Sequence, residues 1–234
     1  MSVQDHLLAV IKAGLIGVPA AAVPGGLPTG IAGTLASLIG DYVPKSGQKA
    51  VERAIGMLNE RVGELESRID PESIDKDEFA ELFMSCTRVI VRSRAEQKLR
   101  AAANLLALGL VRQADPGRLP YTELDHFARC IDSLSLGSLD TLGHVSRCAA
   151  QRRRPRTTPD LERMDFREVR AAMPTVDPHL LMGLLGELAA MNLVYLDGGP
   201  SIRQPDYSNY PVEFTPLGRR FVDYVMEPGR RPSN

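Results

Sequence analysis

Tryptophan is absent from these 234 residues and aromatic residues make up only 5%. That scarcity argues against an aromatic-lined sugar site or a base-stacking platform. Cysteine is sparse: Cys86, Cys130 and Cys148 are odd in number and widely spaced. A disulfide framework is not expected, and a reducing cytoplasm is the natural setting. The formal net charge is −1, so no global attraction draws the chain to nucleic acid or anionic lipid.

Catalytic patterns are missing as well. The run Gly25 to Gly30, GGLPTG, has neither the lysine nor the preceding strand of a phosphate-binding loop. No Gly-x-Ser-x-Gly elbow occurs. His144 and Cys148 stand four apart, as metal ligands on one helix would, but no second pair completes a site. Asp125 and His126 are neighbours in sequence and point to different helix faces. The expectation is a protein that is not an enzyme and uses no cofactor or metal. Ala20-Ala21-Ala22 resembles a secretory cleavage site, but the segment before it carries Asp5 and no early Lys or Arg, and Lys12 interrupts its apolar part. Secretion is not expected.

Hydrophobic residues make up 44% of the chain and charged residues 24%, enough to build a core in two small domains or one large one. The most unusual stretch runs from Ala13 through Gly40 without one charged residue. It exceeds the length a single spanning helix needs. Pro19, Pro24, Gly25, Gly26 and Pro28 interrupt it, so it reads as two short apolar helices joined by a bend. Leu15, Ile16, Val18, Leu27, Ile31, Leu35 and Leu38 supply the apolar surface, and Gly30 with Gly33 permits close approach. Such a hairpin hides in its own domain, against a partner subunit or in a membrane, and these readings stand side by side.

Val51, Ile55, Leu58, Val62, Leu65 and Ile69 follow a 4-3 spacing. This apolar seam pairs either with a helix of the same chain or with a second copy, and self-association as a dimer is the expectation drawn from it. Asp70-Pro71-Glu72 then turns the chain. Helical signal resumes from Asp75 to Gln113, with capping boxes at Asp75/Glu78 and Ser93/Glu96, the second marking a break. Asp115-Pro116-Gly117 ends it, and a helical pair follows from Tyr121 to Ala150, bent around Leu136-Gly137-Ser138. Gln151 to Pro159, QRRRPRTTP, reads as an exposed basic linker.

Beyond Asp160 the pattern becomes short helices followed by strands. Asp165 with Glu168 starts a helix that Pro174 ends. Asp177-Pro178 starts the next, which stops at Asn192. Leu193 to Leu196 and Val212 to Phe214 read as strands around Asp197-Gly198-Gly199-Pro200. Thr215-Pro216 starts a last helix, Leu217 to Met226. The runs HLLMGLLGELAAMNLVYLDGG and FTPLGRRFVDYV resemble the winged-helix modules of small bacterial regulators. That resemblance covers the last third of the chain and implies DNA binding or protein docking. The helix Pro178 to Asn192 has no Lys or Arg, so protein docking is favoured over nucleic acid. The nucleic-acid alternative would use Arg152, Arg153, Arg154, Arg156, Arg203, Arg219 and Arg220. Upstream, the apolar stretch followed by IGDYVPKSGQKAVERAIGMLNERVGELESRID and ELFMSCTRVIVRSRAEQKLRAAANLLALGL resembles a group of helical bacterial proteins, some associated with phage defence.

The expected fold is mainly α: a helical bundle with the Gly/Pro-rich hairpin, and a C-terminal winged-helix (α+β) module. The domains are 1–150 (hairpin 1–44, long helices 48–114, helical pair 120–150), a linker 151–160, and 161–228. The implied function is a bacterial effector or adaptor whose hairpin acts on membranes or in assembly and whose winged helix docks a protein partner; the alternative is a DNA-binding regulator. The expected location is the cytoplasm, with association at the inner membrane if the hairpin inserts.

Overall fold

The computed structural model describes residues 48–69, 73–151, 162–196 and 207–227. The hairpin residues Leu15, Ile16, Val18, Leu27, Ile31, Leu35 and Leu38, and the arginines Arg152, Arg153, Arg154, Arg156 and Arg203, lie outside them, as does the side chain of Val51. The chain is mainly helical, with a small three-stranded antiparallel sheet near its C-terminus. It divides into two compact units, one ending at Asp132 and the other beginning at Ser133.

The first unit contains α1 (Gln48–Leu65), α2 (Lys76–Arg92), α3 (Glu96–Gly109) and most of α4 (Tyr121–Ser133). Its centre is α3, whose residues from Ala101 to Val111 are buried on every face. Alanines and Gly109 make that possible, because small side chains let α1 and α2 pack closely on either side. A Cβ on Gly109 would come 3.2 Å from the Phe79 ring. Leu58, Val62 and Leu65 of the 4-3 seam are buried inside this single chain, and α1 packs on α3. The intramolecular pairing therefore accounts for them. Ile55 is half-buried, and Ile69 lies past the end of α1, where it pairs with Val111 in an isolated antiparallel bridge.

Local chemistry sets the helix ends. Asp75 caps α2 by accepting from the Asp77 and Glu78 backbone N–H groups, each at 3.0 Å. The break between α2 and α3 falls at Ser93–Ala95. Ser93 Oγ accepts from the Ala95 N–H at 3.2 Å, and Ala95 rather than Ser93 holds the N-cap position. The turn after α3 is locked by Arg68, which donates twice to Asp115, at 2.9 and 2.8 Å. That guanidinium holds the Asp115 carboxyl down at about 2.

The second unit contains α5 (Leu136–Gln151), β1 (Glu162–Asp165), α6 (Phe166–Ala172), α7 (Pro178–Ala190), β2 (Val194–Leu196), β3 (Pro211–Phe214) and α8 (Pro216–Arg220). From Phe221 to Met226 the last helix widens to π-type turns, closed by the Glu227 N–H on the Val222 carbonyl at 2.8 Å. The sheet order is β1-β3-β2, with Met164 opposite Val212 and Val194 opposite Phe214. These four residues are buried. Two features depart from the sequence reading. Strand β1 precedes the helix at Phe166. And α5, expected to belong with the helical domain, packs on α6 and α7.

Candidate docking surface

The second unit presents α7 as its most distinctive surface. Asp177 starts it, accepting from the His179 and Leu180 N–H groups at 2.9 and 3.1 Å, with Pro178 in the first turn. Leu181, Met182, Leu184, Leu185 and Leu188 are buried. The helix ends at Ala190, and just past its C-cap Met191 the chain turns at Asn192, whose φ of 57° is the left-handed conformation asparagine tolerates. Thr215 ties this end down: its hydroxyl donates to the Asn192 carbonyl at 2.7 Å and accepts from the Gly218 N–H at 2.9 Å. One residue thereby caps α8 and anchors α7.

The opposite side of α7 exposes His179, Leu180, Gly183, Gly186, Glu187 and Ala190. Leu180 is 57% exposed. A Cβ on Gly183 or Gly186 would meet nothing within 4 Å, so both glycines open onto solvent. The single acidic side chain there is engaged elsewhere. Glu187 accepts from the Ser138 hydroxyl at 2.6 Å and from the Ser135 N–H at 3.2 Å, and so caps the start of α5. His179 Nδ1 lies 3.2 Å from the Tyr207 hydroxyl, and the two rings meet edge to face. What α7 offers outward is thus a leucine, two bare glycine positions and an alanine beside the hydrogen-bonded His179 and Glu187, with no Lys or Arg.

The arginines of the phosphate-binding alternative are not brought together in the described residues. Of the seven, Arg219 and Arg220 are described; both are half-buried on α8, and the Arg219 guanidinium sits 5.6 Å from the Phe214 ring centre. No group of three or more His, Cys, Asp or Glu side chains that could hold a metal occurs among the described residues. His144 is pushed toward its neutral form by burial and by Arg147. Cys130 Sγ lies 3.5 Å from His126 Nε2, but burial pushes the thiol up to about 12, the opposite of what a nucleophile needs. Burial pushes Cys86 up further. Among the described residues no helix is long and apolar enough to cross a membrane.

The sequence reading noted the missing cations of α7 but did not single out Leu180, Gly183 and Gly186. The signal was present: once the buried leucines are placed, those positions fall on the other side of the helix. Comparison with protein families, with curated proteins and with solved structures finds no match for this chain.

Proposed function

We propose that the second unit is a winged-helix module used to dock a protein, within a non-enzymatic effector or adaptor. The winged-helix reading is supported by the element order α5-β1-α6-α7-β2-β3 and by the sheet order β1-β3-β2, in which the returning strand lies between the first and second. In this reading α7 is the presenting helix.

The observation that carries protein docking is the outward face of α7. Duplex DNA binding draws its affinity from Lys and Arg on phosphates, and base reading adds polar side chains at the helix surface. The exposed face of α7 has no Lys or Arg, and its two polar side chains, His179 and Glu187, are hydrogen-bonded to Tyr207 and to Ser135 and Ser138. It does supply close approach, since a helix without side chains at two positions lets a partner backbone come near. Fold alone does not decide between the two uses. Self-association through the Val51 to Ile69 seam is not part of this reading, because Leu58, Val62 and Leu65 are covered by the chain itself. The stretch Ala13 to Gly40 keeps its proposed role in assembly or at a membrane.

A photo-crosslinking amino acid placed at Gly183 in the full chain, expressed in bacteria, tests the docking face. The expected result is a discrete protein adduct that disappears with Leu180→Asp. A nucleic-acid adduct, or no adduct in a protein that melts like the wild type, would overturn it. Duplex retention at low salt that is lost with Gly183→Glu would also sink it.

A further inference from the structure

The first unit carries a second surface that the docking reading does not use. Arg88, Arg92 and Arg94 are all exposed at the end of α2 and in the break before α3. Among the described residues none of the three has a side-chain hydrogen bond or ion pair. The acidic residues that flank them in sequence, Glu81 and Glu96, are engaged with the Tyr121 hydroxyl at 2.8 Å and with Arg100 at 3.1 Å. Arg88 and Arg92 are four apart, so they share a helix face and repel each other.

Helix electrostatics explains only part of this. A cation in the last turn is favoured by the macrodipole, which suits Arg92. Arg88 lies a turn further in. Arg94 lies outside α2 and just before the positive end of α3, where a cation is disfavoured. Three exposed guanidiniums within seven residues of chain thus lack a partner among the described residues, and a polyanion is the complementary surface.

We infer that this corner binds the headgroups of an anionic lipid surface. Two observations favour lipid over nucleic acid. Met84, 37% exposed, stands one turn before Arg88 on the same face. An apolar side chain beside the cations suits the boundary between headgroups and acyl chains. The chain also carries the uncharged stretch Ala13 to Gly40. An apolar element plus a basic patch is the two-signal arrangement that gives stable attachment, where either alone is weak. The inference stands on a different unit from the docking face, so the two fail independently.

The test is sedimentation of the full-length protein with vesicles of pure phosphatidylcholine and with vesicles containing about one third phosphatidylglycerol. The wild type partitions onto the anionic vesicles and much less onto the neutral ones. Each arginine replaced by glutamine lowers the partition coefficient about fivefold, and R88Q/R92Q/R94Q lowers it about a hundredfold. R88K/R92K/R94K keeps most of the binding, and Leu180→Asp leaves it unchanged. Melting curves confirm that these exposed substitutions leave the fold intact. Equal binding to neutral and anionic vesicles, no binding to either, or wild-type binding by the triple glutamine variant would each overturn the inference. So would a triple variant that loses retention of duplex DNA while keeping its vesicle binding.

Discussion

Gly218→Ala and Gly183→Ala make the same chemical change in two helices of one unit, and the structure gives them opposite signs. Gly218 is buried in the first turns of α8. A Cβ there would fall inside the contact shell of the Leu193 carbonyl oxygen, 2.8 Å from the carbonyl carbon and 3.0 Å from the Phe214 ring. The obstacle is backbone, so no side chain can rotate away. Relief requires moving Leu193, whose carbonyl accepts the Thr215 N–H at 3.4 Å and the Thr215 hydroxyl at 3.0 Å. Overpacking costs about 1–3 kcal/mol, and loss of part of a cap adds about 1. Against this stands a gain of about 1 kcal/mol for Ala over Gly in a helix. The net expectation for Gly218→Ala is a loss of about 1–3 kcal/mol. Gly183 meets nothing within 4 Å, so the propensity term acts alone. Gly183→Ala should stabilise by up to about 1 kcal/mol. Urea titration of both variants, followed by circular dichroism, reads the difference. A Gly218→Ala protein as stable as the wild type would refute the close packing of α8 on the end of α7.

Further outcomes follow from the first unit and from the cysteines. Leu58 is 1% exposed within one chain, so Leu58→Glu should destabilise by more than about 3 kcal/mol, measured by the urea midpoint; a well-folded variant of smaller oligomeric size would instead mark the seam as an interface. Asp115 titrates at about 2 in the fold against an ordinary 3.8, so its contribution is complete above about pH 4 and is lost as pH falls toward 2. Asp115→Asn should therefore be less stable at neutral pH and show a flatter acid limb in pH-dependent melts; an unchanged acid limb would count against the Arg68 pairing. Cys86 and Cys130 are buried with raised thiol pKa values, whereas Cys148 is half-buried. A thiol reagent at mildly alkaline pH should label Cys148 first in the native protein, as peptide mass mapping would reveal.

The helix starts were legible because capping is local. Asp75, Asp177-Pro178 and Thr215-Pro216 each satisfy backbone donors two or three residues ahead, and each begins a helix where the sequence placed one. The strands after α7 were legible from their short apolar runs and from the turn residues between them. Strand β1 was not. Glu162-Arg163-Met164-Asp165 has one apolar residue, and its extended form depends on pairing with Pro211 to Phe214. The 4-3 seam was read through to Ile69, but α1 ends at Leu65 and a tight turn carries Ile69 to Val111 instead. For the docking face, the lack of cations was visible in the sequence, and its openness was not. The corner of Arg88, Arg92 and Arg94 could have been suspected from the lack of acidic residues three or four positions before each.

By itself, the sequence determined where helices begin, which residues are apolar enough to form cores, and which chemistry α7 lacks. These depend on short-range hydrogen bonding and on composition. Tertiary structure decided which apolar stripe covers which. It turned the Leu58, Val62 and Leu65 stripe inward against α3, assigned α5 to the second unit, and used Glu187 to cap that helix across 49 positions of chain. Those outcomes depend on burial and on hydrogen bonds between residues far apart, where many pairings share the same local pattern and only packing of the whole unit selects one.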